Sequence, residues 1–307
     1  SSWSSAEGIY YGSGQPGKLG VLFPGQGAQY VGMGRDLVCQ FPAAFSALEE
    51  ADAAFEGSRR LSEFMFPKPG WKPEQKQRQE EALRSIDVAQ PALGAAALAA
   101  WRVLQAFGVK ADVFAGHSYG ELVALHAAGR FDSKTLHALS GLRGRLMQGD
   151  GSDKGAMLAV QASFSEVEKA VLEEKLDLVI ANRNAPAQNV LSGATTEIEK
   201  AERLLTERGL RCRRLPVAAA FHSALVAPAL EPFGKALGKV PFAKSDLVVY
   251  ANTTGRPYPS EPDQARELLA HQLAKPVEFV KLVSSMHEDG VRTFLEVGAG
   301  SRLSGLV

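Results

Sequence analysis

The chain has 307 residues, 45% apolar and 22% charged, which supports a sizeable folded core and excludes a disordered or fibrous polymer. Lysine plus arginine and aspartate plus glutamate both total 34, so no net field draws the chain to nucleic acid or to a membrane surface. Two cysteines, Cys39 and Cys212, fall short of a disulfide framework or a metal site. The longest apolar run, 92–101, is too short for the roughly 20 residues of a membrane helix, and no export leader is visible, so a cytoplasmic setting is expected.

Residues 1–18, rich in Ser, Gly and Tyr, read as a linker or domain edge. Within them Gly12-Ser-Gly-Gln-Pro-Gly17 has the letters of a dinucleotide fingerprint. That loop needs a strand before it and a helix after it, whereas here an apolar run follows. Residues 19–23 are expected to form a short buried strand, and Gly25-Gln26-Gly27 a tight turn leading into a helix. An alanine-rich helix is expected over 90–107 with Gly108 as its stop, then a strand at 112–115, a turn at 116–120 and a helix from 121 to about 129. Strand, glycine turn and helix, twice in succession, predict a parallel α/β sheet.

The pattern then changes. Strand 156–160, helix 165–175, strands 178–181 and 189–191, helix 196–208 and strand 211–217 follow in turn. This βαββαβ order predicts a small ferredoxin-like lobe at 153–216, inserted into a large lobe made of 19–152 and 217–307. Strands at 247–250 and 293–297, with a helix around 263–273, complete the large lobe.

Gly116-His117-Ser118-Tyr119-Gly120 fits G-x-S-x-G, the nucleophile elbow, in which a tight strand-to-helix turn projects a serine Oγ from the sheet. The competing reading is an ordinary βα turn. A serine nucleophile needs a base. Of six histidines, His126, His137, His271 and His287 fall in or beside helices and read as surface or satisfied core residues. His222 lies in a loop between a strand and a helix, where catalytic groups collect on a rigid scaffold. The order Ser then His suits an α/β-hydrolase-like layout, yet Asp132, Asp150 and Asp153 are poor candidates for the acid of a plain hydrolase. The main-chain N–H groups of Gln26 and Tyr119 could form an oxyanion hole. Arg143 offers a planar fork for a substrate carboxylate, or is a surface arginine. A serine hydrolase and a non-catalytic docking module are the competing readings of the whole.

Seven motifs in order carry a resemblance over 19–307: Phe-Pro-Gly-Gln-Gly-Ala-Gln at 23–29, Gln-Pro-Ala-Leu at 90–93, Gly-His-Ser-Tyr-Gly-Glu at 116–121, Arg-Gly at 143–144, Asn-Ala-Pro-Ala-Gln at 184–188, Phe-His-Ser-Ala-Leu at 221–225 and Glu-Val-Gly-Ala-Gly at 296–300. Together they resemble the malonyl-coenzyme A:acyl carrier protein transacylases and the acyltransferase domains of polyketide synthases. The resemblance implies a large α/β-hydrolase-like lobe with a small ferredoxin-like insertion. It implies Ser118 as the acylated nucleophile, His222 as its base, and Gln26 and Tyr119 as oxyanion donors. Arg143 would bind the malonyl carboxylate, and Gln272 would orient the histidine through a carbonyl oxygen, which accounts for the missing acid. Gln90, His117, Asn184 and Phe221 would surround the substrate. Malonyl-CoA and the phosphopantetheine thiol of an acyl carrier protein are the implied partners, with neighbouring synthase domains and no metal or redox cofactor. Phe221 before the base resembles malonyl-selective rather than methylmalonyl-selective domains. Tyr119 departs from the smaller aliphatic or glutamine usual after the serine and is expected to narrow the entrance beside it; it resembles enediyne-type iterative synthases. Arg211, Arg213 and Arg214 are candidates for carrier recognition, or a solvated strand edge.

Overall fold

The computed structural model describes residues 3–5, 10, 11, 13, 16–148, 154–217 and 219–307; Gly12, Gly14, Gln15, Asp150 and Asp153 lie outside them. Strands β1 (Trp3–Ser4) and β2 (Tyr10–Tyr11) pair antiparallel. Strand β3 (Lys18–Phe23) opens the main sheet. It is followed by helices α1 (Arg35–Gln40), α2 (Pro42–Ala54), α3 (Leu61–Met65), α4 (Pro73–Arg84) and α5 (Ile86–Ala106). Next come β4 (Val113–Gly116), α6 (Gly120–Ala127) and α7 (Ser133–Gln148). The inserted segment contains β5 (Ala156–Gln161), α8 (Phe164–Glu173), β6 (Val179–Ala185), β7 (Gln188–Gly193), α9 (Thr195–Glu207) and β8 (Arg211–Arg214). A 3-10 helix (Ala224–Ala229), α10 (Leu230–Gly238), β9 (Val248–Tyr250), α11 (Pro262–His271), α12 (Phe279–Glu288) and β10 (Val291–Glu296) complete the order. Helix α5 starts earlier than the sequence reading, at Ile86, and carries Pro91 in its second turn, where one main-chain hydrogen bond is lost.

The main sheet runs β10-β3-β4-β9 and every pairing in it is parallel. Beyond Lys18 its central strands β3 and β4 carry no polar side chain because both faces are covered, while edge strand β10 carries Arg292, Thr293 and Glu296. Val21, Phe23 and Phe114 enter the main core, while Leu22, Val113 and Ala115 enter a second core on the other face with Phe279, Leu282 and Met286 of α12. The smaller sheet, β6-β7-β5-β8, is antiparallel throughout, which is the ferredoxin-like arrangement read from the element order. Leu158, Val160 and Leu191 pack on α8 and α9, whereas Met157, Ala181 and Val190 on the opposite face join the main core. A seam joins β6 of the smaller sheet to the segment just ahead of α12 in the large lobe. Arg183 N donates to Val277 O at 2.9 Å, Val277 N donates to Ala181 O at 2.8 Å, and Arg183 pairs with Glu278 at 3.1 Å. Among the described residues no helix is long and apolar enough to cross a membrane.

Candidate active site

The carboxyl ends of β3, β4 and β9 converge at one rim of the parallel sheet, the end where open α/β sheets bind ligands. After Gly116 the chain turns through Ser118 with φ 50°, a left-handed conformation that non-glycine residues seldom adopt, and α6 begins at Gly120. The second glycine of the motif is required by contact: a Cβ on Gly120 would lie 2.0 Å from Phe23 O. Asn252, fully buried just after β9, locks the turn. Ser118 N donates to its Oδ1 at 2.6 Å, and its Nδ2 donates to Gly116 O. Asn252 N in turn donates to Glu121 Oε2 at 3.0 Å, and the Tyr258 hydroxyl donates to the same carboxylate. Burial pushes the Glu121 carboxyl up to about 7 against these two donors.

Ser118 Oγ and His222 Nε2 are 2.8 Å apart. His222 is 2% exposed with φ 57°, and its Nδ1 lies 3.1 Å from the Gln272 carbonyl oxygen. A carbonyl can only accept, so Nδ1 carries the hydrogen and Nε2 is free to accept from the serine. Burial, followed by the nearby charges of Arg143 and His117, pulls the His222 pKa down to about 3. The base loop is fixed by Ala220 N donating to Lys154 O at 2.8 Å and by Ser223 Oγ donating to Ala220 O at 2.7 Å. Asp132 is instead engaged at the start of α7, accepting from Thr135 N at 2.8 Å. His126 Nδ1 bonds Phe131 O at 2.9 Å, and His271 and His287 are exposed. His137 corrects the sequence reading: it is 4% exposed, yet neither ring nitrogen has a partner among the described residues, and burial pulls its pKa down to about 4.

Gln272 connects the pieces. Its main-chain oxygen meets the base, its Nε2 donates to Ser118 O at 2.9 Å, and its Oε1 accepts from Arg143 Nη2 at 3.2 Å. Arg143, on α7, is 2% exposed, which excludes the surface reading; burial pulls its pKa down to about 10, so it remains a cation at neutral pH. The turn after β3 lies hard against the elbow, since a Cβ on Gly25 would stand 2.3 Å from His117 O and 3.4 Å from Tyr119 N. The N–H groups of Gln26 and Tyr119 find no acceptor among the described residues. His117 Nε2 donates to Asn184 Oδ1 of β6 at 2.7 Å, so the smaller sheet reaches the elbow. Gln90 is buried, donating to Met147 Sδ at 3.6 Å with its Oε1 unpartnered among the described residues. Phe221 is buried in the main core. The Tyr119 phenol does not narrow an entrance: it is 1% exposed and turned inward to Ser140. Asn252 and Ser140 had no sequence signal, because their partners are main-chain groups and a hydroxyl brought in by the fold.

A model of the acyl transferase domain matches residues 21–305. The malonyl CoA-acyl carrier protein transacylase of Bacillus subtilis is 36% identical over 94% of this chain and 89% of its own length. Polyketide synthase GfsA of Streptomyces halstedii is 36% identical over 95% of this chain, which spans only 4% of that protein. A malonyl-transacylase solved in complex with its type II polyketide synthase acyl-carrier protein superposes with a TM-score of 0.86 at 32% identity, covering 94% of this chain and 91% of that one. Both the family match and the solved neighbour take in the parallel sheet with its elbow and the antiparallel insertion, so the chain belongs to the acyl transferase domain family.

Proposed function

We propose that this chain transfers a malonyl unit from coenzyme A to the phosphopantetheine thiol of an acyl carrier protein, through an ester on Ser118. The observation that carries the reading is Gln272, one residue bonded to the base, to the elbow and to a buried guanidinium. His222 Nε2 takes the Ser118 proton as Oγ bonds to the thioester carbonyl carbon. The oxyanion is met by the N–H groups of Gln26 and Tyr119. The carbon–sulfur bond then breaks, and coenzyme A leaves as the thiol with the proton from His222. In the second half the carrier thiol gives its proton to His222 and attacks the ester, and Ser118 Oγ recovers the proton. Arg143 pairs with the free carboxylate, whose charge offsets a cation already buried. His117 and Asn184 orient the thioester arm beside the nucleophile, and Gln90 and Phe221 line the acyl pocket.

Protein groups, the malonyl thioester and the carrier thiol supply every step, so the reading calls for no metal or redox cofactor. The likeness to GfsA supports a place beside other synthase domains in polyketide synthesis. A cytoplasmic setting suits the two free cysteines. Intact-mass analysis after brief exposure to malonyl-CoA tests the reading. A single malonyl adduct is expected on the native chain and none on Ser118→Ala; an adduct persisting on that variant would overturn it.

A further inference from the structure

Helix α5 is rich in alanine and carries one interior glycine, Gly94, at a position where neither a cap nor a turn calls for it. The space it leaves is occupied: a Cβ there would stand 2.3 Å from the Tyr119 hydroxyl oxygen and 3.5 Å from Ser140 Oγ. Tyr119 comes from the elbow and Ser140 from α7, so three elements meet at this notch. The polar end is satisfied. Ser140 donates to Leu136 O at 2.6 Å, which leaves its oxygen to accept from the Tyr119 hydroxyl, also at 2.6 Å. The Arg143 guanidinium carbon lies 5.9 Å from the centre of the Tyr119 ring, within range of a cation–π contact. On its other side Arg143 is held by Gln272. Ser140 and Arg143 are one turn apart on α7, so the phenol is anchored to the helix that presents the arginine.

None of this serves the attack of the serine. The oxyanion contact attributed to Tyr119 uses the main-chain N–H, which any residue but proline provides. A flexible, buried arginine gains from a fixed surface beneath it, because substrate binding then loses less side-chain freedom. We propose that the Tyr119 side chain, seated in the Gly94 notch and tied to Ser140, is a positioning residue that holds the Arg143 guanidinium for the malonyl carboxylate and thereby sets the preference for dicarboxylic over simple acyl units. This rests on the reading that Arg143 receives that carboxylate.

The test is the ratio of malonyl to acetyl loading from the two coenzyme A thioesters, read as acyl-enzyme mass at early times. Any loss common to both donors reports the elbow or folding and cancels in the ratio. Tyr119→Leu lowers the ratio about tenfold, through a raised KM for malonyl-CoA. Tyr119→Phe and Ser140→Ala each lower it about threefold, and the double variant no further, because both remove the same hydrogen bond. Gly94→Ala lowers the ratio and the melting temperature beside Tyr119 but costs nothing more in the Tyr119→Leu chain, where the hydroxyl that the added methyl would strike is gone. Arg143→Ala is the control. A ratio that collapses in Arg143→Ala but stays unmoved in Tyr119→Leu overturns the positioning role and leaves the carboxylate reading intact. A ratio unmoved in Arg143→Ala overturns both. Should Tyr119→Leu fail to fold, an unmoved ratio in both Tyr119→Phe and Ser140→Ala overturns the proposal.

Discussion

Ser118 and His222 share a hydrogen bond and a left-handed backbone, a conformation taken by one other non-glycine among the described residues, Lys175. Such backbones cost on the order of 1 kcal/mol or more each and persist where surrounding contacts fix them, here Asn252 for the serine and the Ser223 turn for the histidine. Burial of His222 has a consequence for pH. With the pKa pulled down to about 3, the base is neutral through the physiological range. The rate of acyl-enzyme formation is expected to be flat from about pH 5.5 to 8, without the acid limb of an ordinary histidine near 6.5. Arg143→Met removes one of the charges that oppose protonation, so in that variant the limb moves up in pH. The same depression links folding to pH. The unfolded chain takes up this proton first, so the contribution of His222 to stability is present above about 6.5 and is lost as pH falls toward 3. A limb near 6.5 in the native chain, measured by rapid quench, would contradict the buried geometry.

At the scale of elements, β4 and β9 are joined at their carboxyl ends by Asn252, which occupies both the N–H of Ser118 and the carbonyl of Gly116. Asn252→Ala leaves both groups without their partner and is expected to cost about 2 to 4 kcal/mol of stability and to slow acylation strongly, read by denaturant unfolding and single-turnover loading. Glu121, behind Asn252, gives a second outcome. Its carboxyl is pushed up to about 7, so between pH 4.5 and 7 the folded chain binds the proton that the unfolded chain has released, and stability from this group falls as pH rises. In Glu121→Gln that component disappears. The stability of the variant relative to the native chain therefore rises across that interval by on the order of 3 kcal/mol, and a flat difference would show the carboxylate to be ionised throughout. These two residues mark the limit of what the sequence discloses. The strands and the elbow were legible because apolar runs between glycine turns have one economical fold, and Ser118, His222 and Arg143 because their chemistry is particular to their side chains. Asn252 serves main-chain groups, which look alike in every sequence. Gln272 was placed as the histidine's carbonyl partner through the family resemblance; nothing in the residues pointed to the two further bonds of its side chain. Helix α5 begins at Ile86, ahead of the alanine-rich stretch that marked it in the sequence, and Pro91, a residue usual in a first turn, gives no sign that the helix has already begun.

Across the whole molecule, the smaller sheet presents one face to its helices and the other to the large lobe. Arg213 pairs with Ala159 and Arg211 with Gln161, so both arginines lie on the face that Met157 and Ala159 turn to the main core, and both are exposed on the edge strand β8. Arg214 lies on the other face, 3.5 Å from Glu199 and Glu202, where those carboxylates offset part of its charge. Reversal of Arg211 and Arg213 to glutamate is expected to raise the KM for an acidic carrier about fivefold and to flatten its salt dependence, while loading from malonyl-CoA is unchanged. Equal KM values in steady-state assays at low and high salt would move the docking surface elsewhere. The parallel sheet has a further consequence for the making of the protein. Strand β3 is flanked on one side by β4 and on the other by β10, the last strand in the chain, with Lys18 N donating to Gly290 O at 3.0 Å where the pair begins. During synthesis, at roughly 5 to 20 residues per second, an apolar edge therefore waits many seconds for the strand that covers it. Until then Leu22 and Val21 border an open row of main-chain donors and acceptors, a template for pairing with another nascent chain. The large lobe cannot be finished before the smaller one is made, and the ribosome must release most of this sequence before its active site exists.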